Sequence, residues 1–280
     1  MMPIQFYDAH IHFFYEGPLE RVKNKYLEIE GFLGGGLLIL EKAPADTETV
    51  LRLVPRSYHC MIAPKTIYAS PDSIQHLQTM DGLSFIPYLD IRFFLSEHLG
   101  AIENFIKKGY KAVKILYYPE KDDSIEVEGW ERVLGRTVAE SERVVADIIA
   151  ECDRLHVPVL FHSDLNLYNE FTCELISAFP NVLFNIPHFG SSRKKMAETL
   201  SRYPNCYTDF SSLLSFMKKS PKAYLDFIRN FSDRVLFGSD ALFGQPSVVQ
   251  AYADFVKTLL EGELLEKVAW RNFRRFHCLE

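Results

Sequence analysis

Two of the nine histidines, His10 and His12, stand one residue apart in Phe6-Tyr7-Asp8-Ala9-His10-Ile11-His12. On an extended strand, residues i and i+2 point to the same side. Both imidazoles would then project together, at a separation that suits one metal ion, and Asp8 would share their side. His162 ends the apolar run Val157 to Phe161, His188 follows Leu183 to Pro187, and Asp240 follows Val235 to Ser239. Nothing in an apolar strand requires a histidine at its end. A carboxylate at Asp240 would serve as a ligand and as the acceptor of a proton from water. His and carboxylate ligands without Cys suit Zn²⁺ in an open, catalytic arrangement. Mn²⁺, Fe²⁺ and Co²⁺ are also compatible. Taken singly, each of these residues reads more simply as a hydrogen-bonded strand end. Four histidines and one aspartate at the ends of four strands, in chain order, are what point to a metal.

Other polar residues fall at similar places. Arg92 follows Asp90 and offers a planar fork for a substrate carboxylate; a salt bridge to Asp90 or Asp164 is the simpler reading. Lys114 lies in the middle of a strand, where burial is expensive unless the amine is paired or modified. Tyr117 and Tyr118 follow that strand and would line a pocket or simply pack. Asp209 and Ser211 are placed to orient ligands, and Glu41 ends another strand.

The elements that must position these residues alternate. Strand-like runs cover Phe6 to His12, Leu37 to Glu41, Ser84 to Asp90, Ala112 to Leu116, Val157 to His162, Val182 to Pro187, Cys206 to Phe210 and Arg234 to Ser239. Helical spacing marks Glu97–Lys108, Val138–Leu155, Leu167–Ala178, Ser192–Tyr203, Pro221–Asn230, Ser247–Leu260 and Leu264–Phe276. Strands alternating with helices argue for a parallel sheet. Eight such units predict an α/β fold, a (β/α)8 TIM barrel, whose strand ends converge on one mouth. A doubly wound sheet would need a glycine-rich turn after an early strand; Gly34-Gly35-Gly36 precedes one and reads as a turn. Residues 1–280 form one domain in this reading. The connections after the second and fourth strands are long insertions, and either would make a lid. The first is expected to hold an extended piece at Tyr58 to Ile62 and a helix near Asp72–Thr79. The second holds the acidic stretch 120–123, which also reads as a solvated loop.

Composition sets outer limits. With 48% apolar residues, 24% charged and a net charge of −6, this is an ordinary globular chain. Disorder is excluded by the apolar content, and the apolar runs are too short to cross a bilayer. The acidic balance argues against nucleic acid, although Arg271, Arg274 and Arg275 form a tight basic cluster. The start shows no signal peptide. Five scattered cysteines (60, 152, 173, 206 and 278) suggest reduced, packed thiols and a cytoplasmic protein. The expected partner is a small-molecule substrate, with self-association left open.

Phe-Tyr-Asp-Ala-His-Ile-His, Gly-Tyr-Lys-Ala-Val-Lys-Ile, Val-Pro-Val-Leu-Phe-His, Asn-Ile-Pro-His-Phe-Gly, Asn-Cys-Tyr-Thr-Asp-Phe-Ser-Ser and Arg-Val-Leu-Phe-Gly-Ser-Asp together resemble the amidohydrolase superfamily. Within it they are most similar to the amidohydrolase 2 group of TIM-barrel metal-dependent hydrolases, which also contains nonoxidative decarboxylases. The likeness runs from residue 6 to about residue 275, but residues 42–83 and 117–150 show no match. It implies that His10, His12, His162 and Asp240 are metal ligands, with Asp240 also the general base. His188 would be a catalytic hydrogen-bonding residue or a ligand of a second ion. Binuclear members bridge two ions with a carboxylated fourth-strand lysine, here Lys114; the decarboxylase-like branch keeps that lysine as a cation for an acidic substrate. One ion is the favoured expectation. Ser163-Asp164 depart from the glycine that often follows the fifth-strand histidine. The implied activity is hydrolysis of a small, carboxylate-bearing amide, lactone or ester. Decarboxylation of an unsaturated or aromatic acid is the alternative, and a non-catalytic metal-binding barrel is the third reading.

Overall fold

A computed structural model describes residues 4–14, 19–41, 46–59, 77, 80, 82–93 and 98–279. Among the described residues there are nine strands: β1 (Phe6–His12), β2 (Phe32–Leu40), β3 (Ser84–Asp90), β4 (Ala112–Leu116), β5 (Val159–His162), β6 (Phe184–Ile186), β7 (Cys206–Asp209), β8 (Val235–Leu236) and β9 (Ala241–Leu242). All pair in parallel, in the order β8-β7-β6-β5-β4-β3-β2-β1-β9. The last two strands close the sheet. Val235–Leu236 pairs with β7, the Ala9 amide donates to Phe237 O at 2.8 Å, and Ala241–Leu242 pairs with β1. The expected eighth strand is thus one segment broken in the middle and shared between both edges. The break falls where Gly238 lies against the Asp209 side chain and Asp240 takes a left-handed φ of 63°.

Alternation then sorts side chains between an inner and an outer face. The inner face is a small cluster to which β1 to β5, β7 and β8 each contribute, among them Ala9, Leu38, Tyr88, Ala112, Leu160, Tyr207 and Leu236. Phe273 and Phe276 from the C-terminal helix Asn272–Phe276 join it, and Tyr7 stacks on Phe273 at 4.8 Å, so aromatic rings plug the barrel floor. Two residues onward along β3, β4, β5 and β7, the same inner face carries Asp90, Lys114, His162 and Asp209. The outer face packs the helices through Val113, Ile115, Phe161 and Ile186. Chief among these helices is Val138–Leu155, which starts at a capping box made by Thr137 and Glu140.

Two expectations change, and β1 carries an irregularity. Gly34-Gly35-Gly36 is not a turn but the interior of β2. A Cβ on Gly35 would sit 2.0 Å from Asp8 O, and one on Gly34 would sit 2.0 Å from Ser84 O. These glycines let three strands approach closely. In β1, Asp8 pairs with Gly35 and Ile11 with Leu37, so three steps oppose two, a bulge. The bulge turns Ala9 into the floor cluster and still leaves the histidines facing the mouth. Finally, Tyr58 is not extended: it sits in the short helix Arg56–His59, its amide bonded to Pro55 O at 2.9 Å. Residues 60–62 of that piece, Cys60 among them, and the helix near Asp72–Thr79 apart from Leu77 lie outside the described residues. Cys152, Cys173, Cys206 and Cys278 are free thiols. No helix among the described residues is long and apolar enough to cross a membrane.

The glycine packing gives a direct contrast. Gly35→Ala should destabilise by about 3 kcal/mol or more, because backbone must move. Gly100→Ala, in open space within helix Leu99–Lys107, should be neutral or stabilise by about 0.5–1 kcal/mol. Denaturant melts of the two variants measure both; equal stabilities would contradict the close approach of β2.

Candidate metal centre

The mouth is built where β1 meets the broken eighth strand. The Asp240 amide donates to His10 O at 2.9 Å, and the Phe243 amide to His12 O at 2.8 Å. This seam brings Asp240 Oδ1 to 3.0 Å from His12 Nε2 and 3.2 Å from His10 Nε2. The imidazole and carboxylate atoms of His10, His12 and Asp240 lie within 4.8 Å of one another, and those of His10, His188 and Asp209 form a second such group. Asp8 completes the seam from below, its Oδ1 accepting from the amides of His10 (2.9 Å) and Ser239 (3.0 Å).

Ser211 fixes the proton positions. Its hydroxyl donates to Asp209 Oδ1, so its oxygen accepts from His10 Nδ1 at 3.1 Å. His188 Nδ1 lies 2.8 Å from Ser211 O, which can only accept. Both rings therefore carry their proton on Nδ1 and keep a lone pair on Nε2. His10 Nε2 is buried without a hydrogen-bond partner, yet faces a carboxylate oxygen. Two lone pairs converging in a buried site are satisfied by a cation between them. The donor set, imidazole nitrogens backed by a carboxylate and a serine, is the one divalent metals use. These residues fit such an ion.

Charge follows from burial. His10 is pushed down to about 4, chiefly by desolvation, with Asp240 and Asp209 opposing. Burial also lowers His12 and His162. For Asp240, burial works upward, but His10, His12 and His188 outweigh it and hold the carboxyl well below its usual range. Lys114 is fully buried, and its Nζ has no hydrogen-bond partner; desolvation pushes it down to about 7 against the pull of Asp90 and Asp240. Left-handed backbone recurs at His188, Ser212 and Asp240, the strand ends that frame the mouth.

The other sequence candidates fall unevenly. His162 lines the same small pocket as His12 and Asp240 but belongs to neither tight group. Its Nε2 is 3.0 Å from Tyr118 Oη, and its ring is 4.6 Å from that of His188. Arg92 also lines the pocket, but its fork is engaged: Nε and Nη2 hold Asp90 (3.0 and 2.5 Å), and Nη1 holds Leu53 O at 2.9 Å. It ties the β2–β3 connection to the end of β3. Tyr117 does not reach the mouth. It follows Leu116 with opposite parity and packs outside the barrel, against Phe171 and Tyr168 at 5.0 Å. Glu41 accepts from Tyr110 Oη at 2.5 Å. Two residues escaped the sequence reading. Tyr58 donates to Asp240 Oδ2 at 2.7 Å, and Ser212 donates to the same oxygen. No local signal marks Tyr58, which lies 182 residues from its partner; Ser212 was visible only as the neighbour of Ser211.

A closed (β/α)8 barrel with histidines and carboxylates gathered at its C-terminal mouth is the architecture of barrel enzymes that work at that end. A family model described as amidohydrolase matches residues 101–277, and the chain belongs to this family. Three solved structures share the fold. An uncharacterized TIM-barrel protein from Bordetella bronchiseptica aligns with TM-score 0.64 and 14% identity, covering 99% of each chain. Amidohydrolase 2 from Bifidobacterium longum subsp. infantis aligns with TM-score 0.55 and 13% identity, over 99% of this chain and 100% of that one. A candidate 2-pyrone-4,6-dicarboxylic acid hydrolase from Pseudomonas putida aligns with TM-score 0.55 and 16% identity, over 99% of this chain and 98% of that one. No curated protein matches.

Burial of the histidines makes stability depend on pH. His10 titrates near 4 and His277, on the floor, near 3, both lowered mainly by burial from an ordinary 6.5. Unfolding therefore takes up protons at these two imidazoles, and their contribution to stability is full above pH 6.5 and falls as pH drops toward 4. Asp8, raised to about 7 by burial, acts in the opposite sense and offsets part of the loss. Thermal melts of metal-free protein should show Tm falling between pH 6.5 and 4; a Tm that rises across that window contradicts neutral buried imidazoles.

Proposed function

We propose that the chain is a metal-dependent hydrolase acting on a small, carboxylate-bearing lactone, amide or ester. The observation that carries this reading is the partnerless Nε2 of His10 facing Asp240 Oδ1 beside His12 Nε2. In this reading His10, His12 and Asp240 hold one divalent ion, Zn²⁺ by donor type, with His162 completing the set. A second ion would require Lys114 to be carboxylated and His188 to turn its lone pair to it. Such an ion supplies polarisation of a carbonyl and an acidified water at neutral pH.

The residues of the chain do the rest. Asp240 takes the proton of the attacking water and returns it to the leaving group. His188 keeps its Nδ1 proton on the Ser211 carbonyl, which fixes its ring beside His10 at the mouth and leaves Nε2 as an acceptor for a donor group of the substrate. Lys114, the unpartnered amine beneath the mouth, meets the substrate carboxylate. Phe14, Val54, Pro55 and Leu116 line the pocket and exclude water from it. The family and the hydrolase among the similar folds support this reading. A nonoxidative decarboxylase would use the same cluster, and the buried, unpartnered Lys114 favours it too, since a cation there would grip the departing carboxylate.

Elemental analysis and a panel of small lactones, amides and unsaturated acids test the proposal. Wild-type protein should hold about one Zn²⁺ and release acid from a lactone without CO₂; CO₂ release would move the assignment to the lyase. Asp240→Asn should keep its fold and lose turnover by about 10³-fold. Near-normal turnover in that variant removes Asp240 from the proton-transfer role. His12→Ala should lose stoichiometric Zn²⁺, and retention of the metal would break the ligand assignment.

A further inference from the structure

The β2–β3 connection does more than cover the mouth. Its described part, residues 46–59, is fixed from three directions. Arg92 at the end of β3 holds Leu53 O at 2.9 Å. Arg52 forms an ion pair with Glu128 of the β4–β5 connection at 2.6 Å, and the Glu128 amide returns a bond to Arg52 O at 3.0 Å. The Arg56 amide donates to Ile125 O at 3.1 Å. The two insertions therefore form one cover, and the helix Arg56–His59 is the part of it that faces the centre. From that helix, Tyr58 places its ring 6.0 Å from the His12 ring and its hydroxyl on Asp240 Oδ2.

The two oxygens of Asp240 are thereby divided. Oδ1 faces His10 and His12, and Oδ2 is taken by Tyr58 and Ser212. Ser212 belongs to the β7 loop of the barrel itself, whereas Tyr58 arrives only with the cover. We propose that Tyr58 is a positioning residue of the metal centre: delivered by the joined insertions, it holds Asp240 so that a single carboxylate oxygen is presented to the ion, and the centre is complete only with the cover in place. This inference rests on the metal-centre reading above. An outer partner of a ligating carboxylate controls its orientation and its basicity, and losing one typically costs ~10–100-fold in metal affinity. A hydroxyl that merely filled space would leave that affinity alone.

The test uses full-length wild type and Tyr58→Phe, titrated with Zn²⁺ against a competing chelator and separately loaded with Co²⁺ for visible absorption. Tyr58→Phe should weaken Zn²⁺ binding about 10-fold. Its Co²⁺ band should lose intensity, because a released Oδ2 raises the coordination number. Metal-free Tm should move by no more than about 2 °C, since no buried cavity is made. Unchanged affinity and an unchanged Co²⁺ spectrum overturn the proposal. Wild type that binds neither ion overturns the metal-centre reading instead, which separates the two failures. Should Tyr58→Phe fail to fold, the double variant Arg52→Ala, Glu128→Ala removes the ion pair and loosens the cover without touching the centre. It should speed chelator-driven loss of Zn²⁺ about 3-fold, a fraction of the full outer-partner effect; an unaltered rate counts against the proposal.

Discussion

The structure depends on one backbone seam. Where β1 meets the segment 235–242, the Ala9 amide bonds Phe237 O, the Asp240 amide bonds His10 O and the Phe243 amide bonds His12 O. These three bonds join the two edges of the sheet into a barrel, and they also place a carboxylate against two imidazoles. Closing the fold and making the site are one event. The seam is not regular: β1 bulges, the eighth strand breaks, and Asp240 adopts a backbone conformation unusual for a residue with a side chain. Each irregularity re-aims a polar group toward the mouth while the outer face continues to pack helices. The buried Asp8 carboxylate accepts from amides on both sides of the seam, where regular strand pairing is interrupted.

Polar groups gather at the mouth because the rest of the interior is apolar. Below the histidines, small and aromatic side chains fill the barrel; above them, Phe14, Val54 and Pro55 close it. Between these layers, three carboxylates are each held by other polar groups. Asp90 binds Arg92, Asp209 accepts from Ser211, Asn185 and the His188 amide, and Asp240 is shared among two imidazoles and two hydroxyls. Lys114 Nζ and His10 Nε2 are buried there without a hydrogen-bond partner. In a fully enclosed site, such atoms are costly unless a ligand meets them. They are the two atoms on which the proposed ion and the proposed substrate carboxylate rest.

Much of this was legible in the sequence, and the remainder was hidden for identifiable reasons. Period-two runs located β1, β3 and β4 to the residue, and helical spacing gave Val138–Leu155 and Pro221–Asn230 to the residue, because in these segments local pattern and tertiary burial agree. Gly34-Gly35-Gly36 misled, since glycine in a strand is chosen for the approach of neighbouring backbones, which no local pattern encodes. Tyr117 and Arg92 sat next to the right strand ends. Parity sends the first outward, and Asp90 engages the second. Ser211 and Asp209 were recognisable from their place after β7. Tyr58 was not, because a loop residue that acts across 182 positions carries no periodicity.

The seam also sets the order in which the protein can come into being. Its two sides lie far apart in sequence: His12 and Asp240 are separated by 228 positions. As the chain leaves the ribosome, the paired imidazoles emerge long before the carboxylate that completes them, and β1 waits as an unpaired edge on one side. Contacts of such long range make the final closure a late and slow step. The proposed ligand set is therefore assembled only when the last strand docks beside the first.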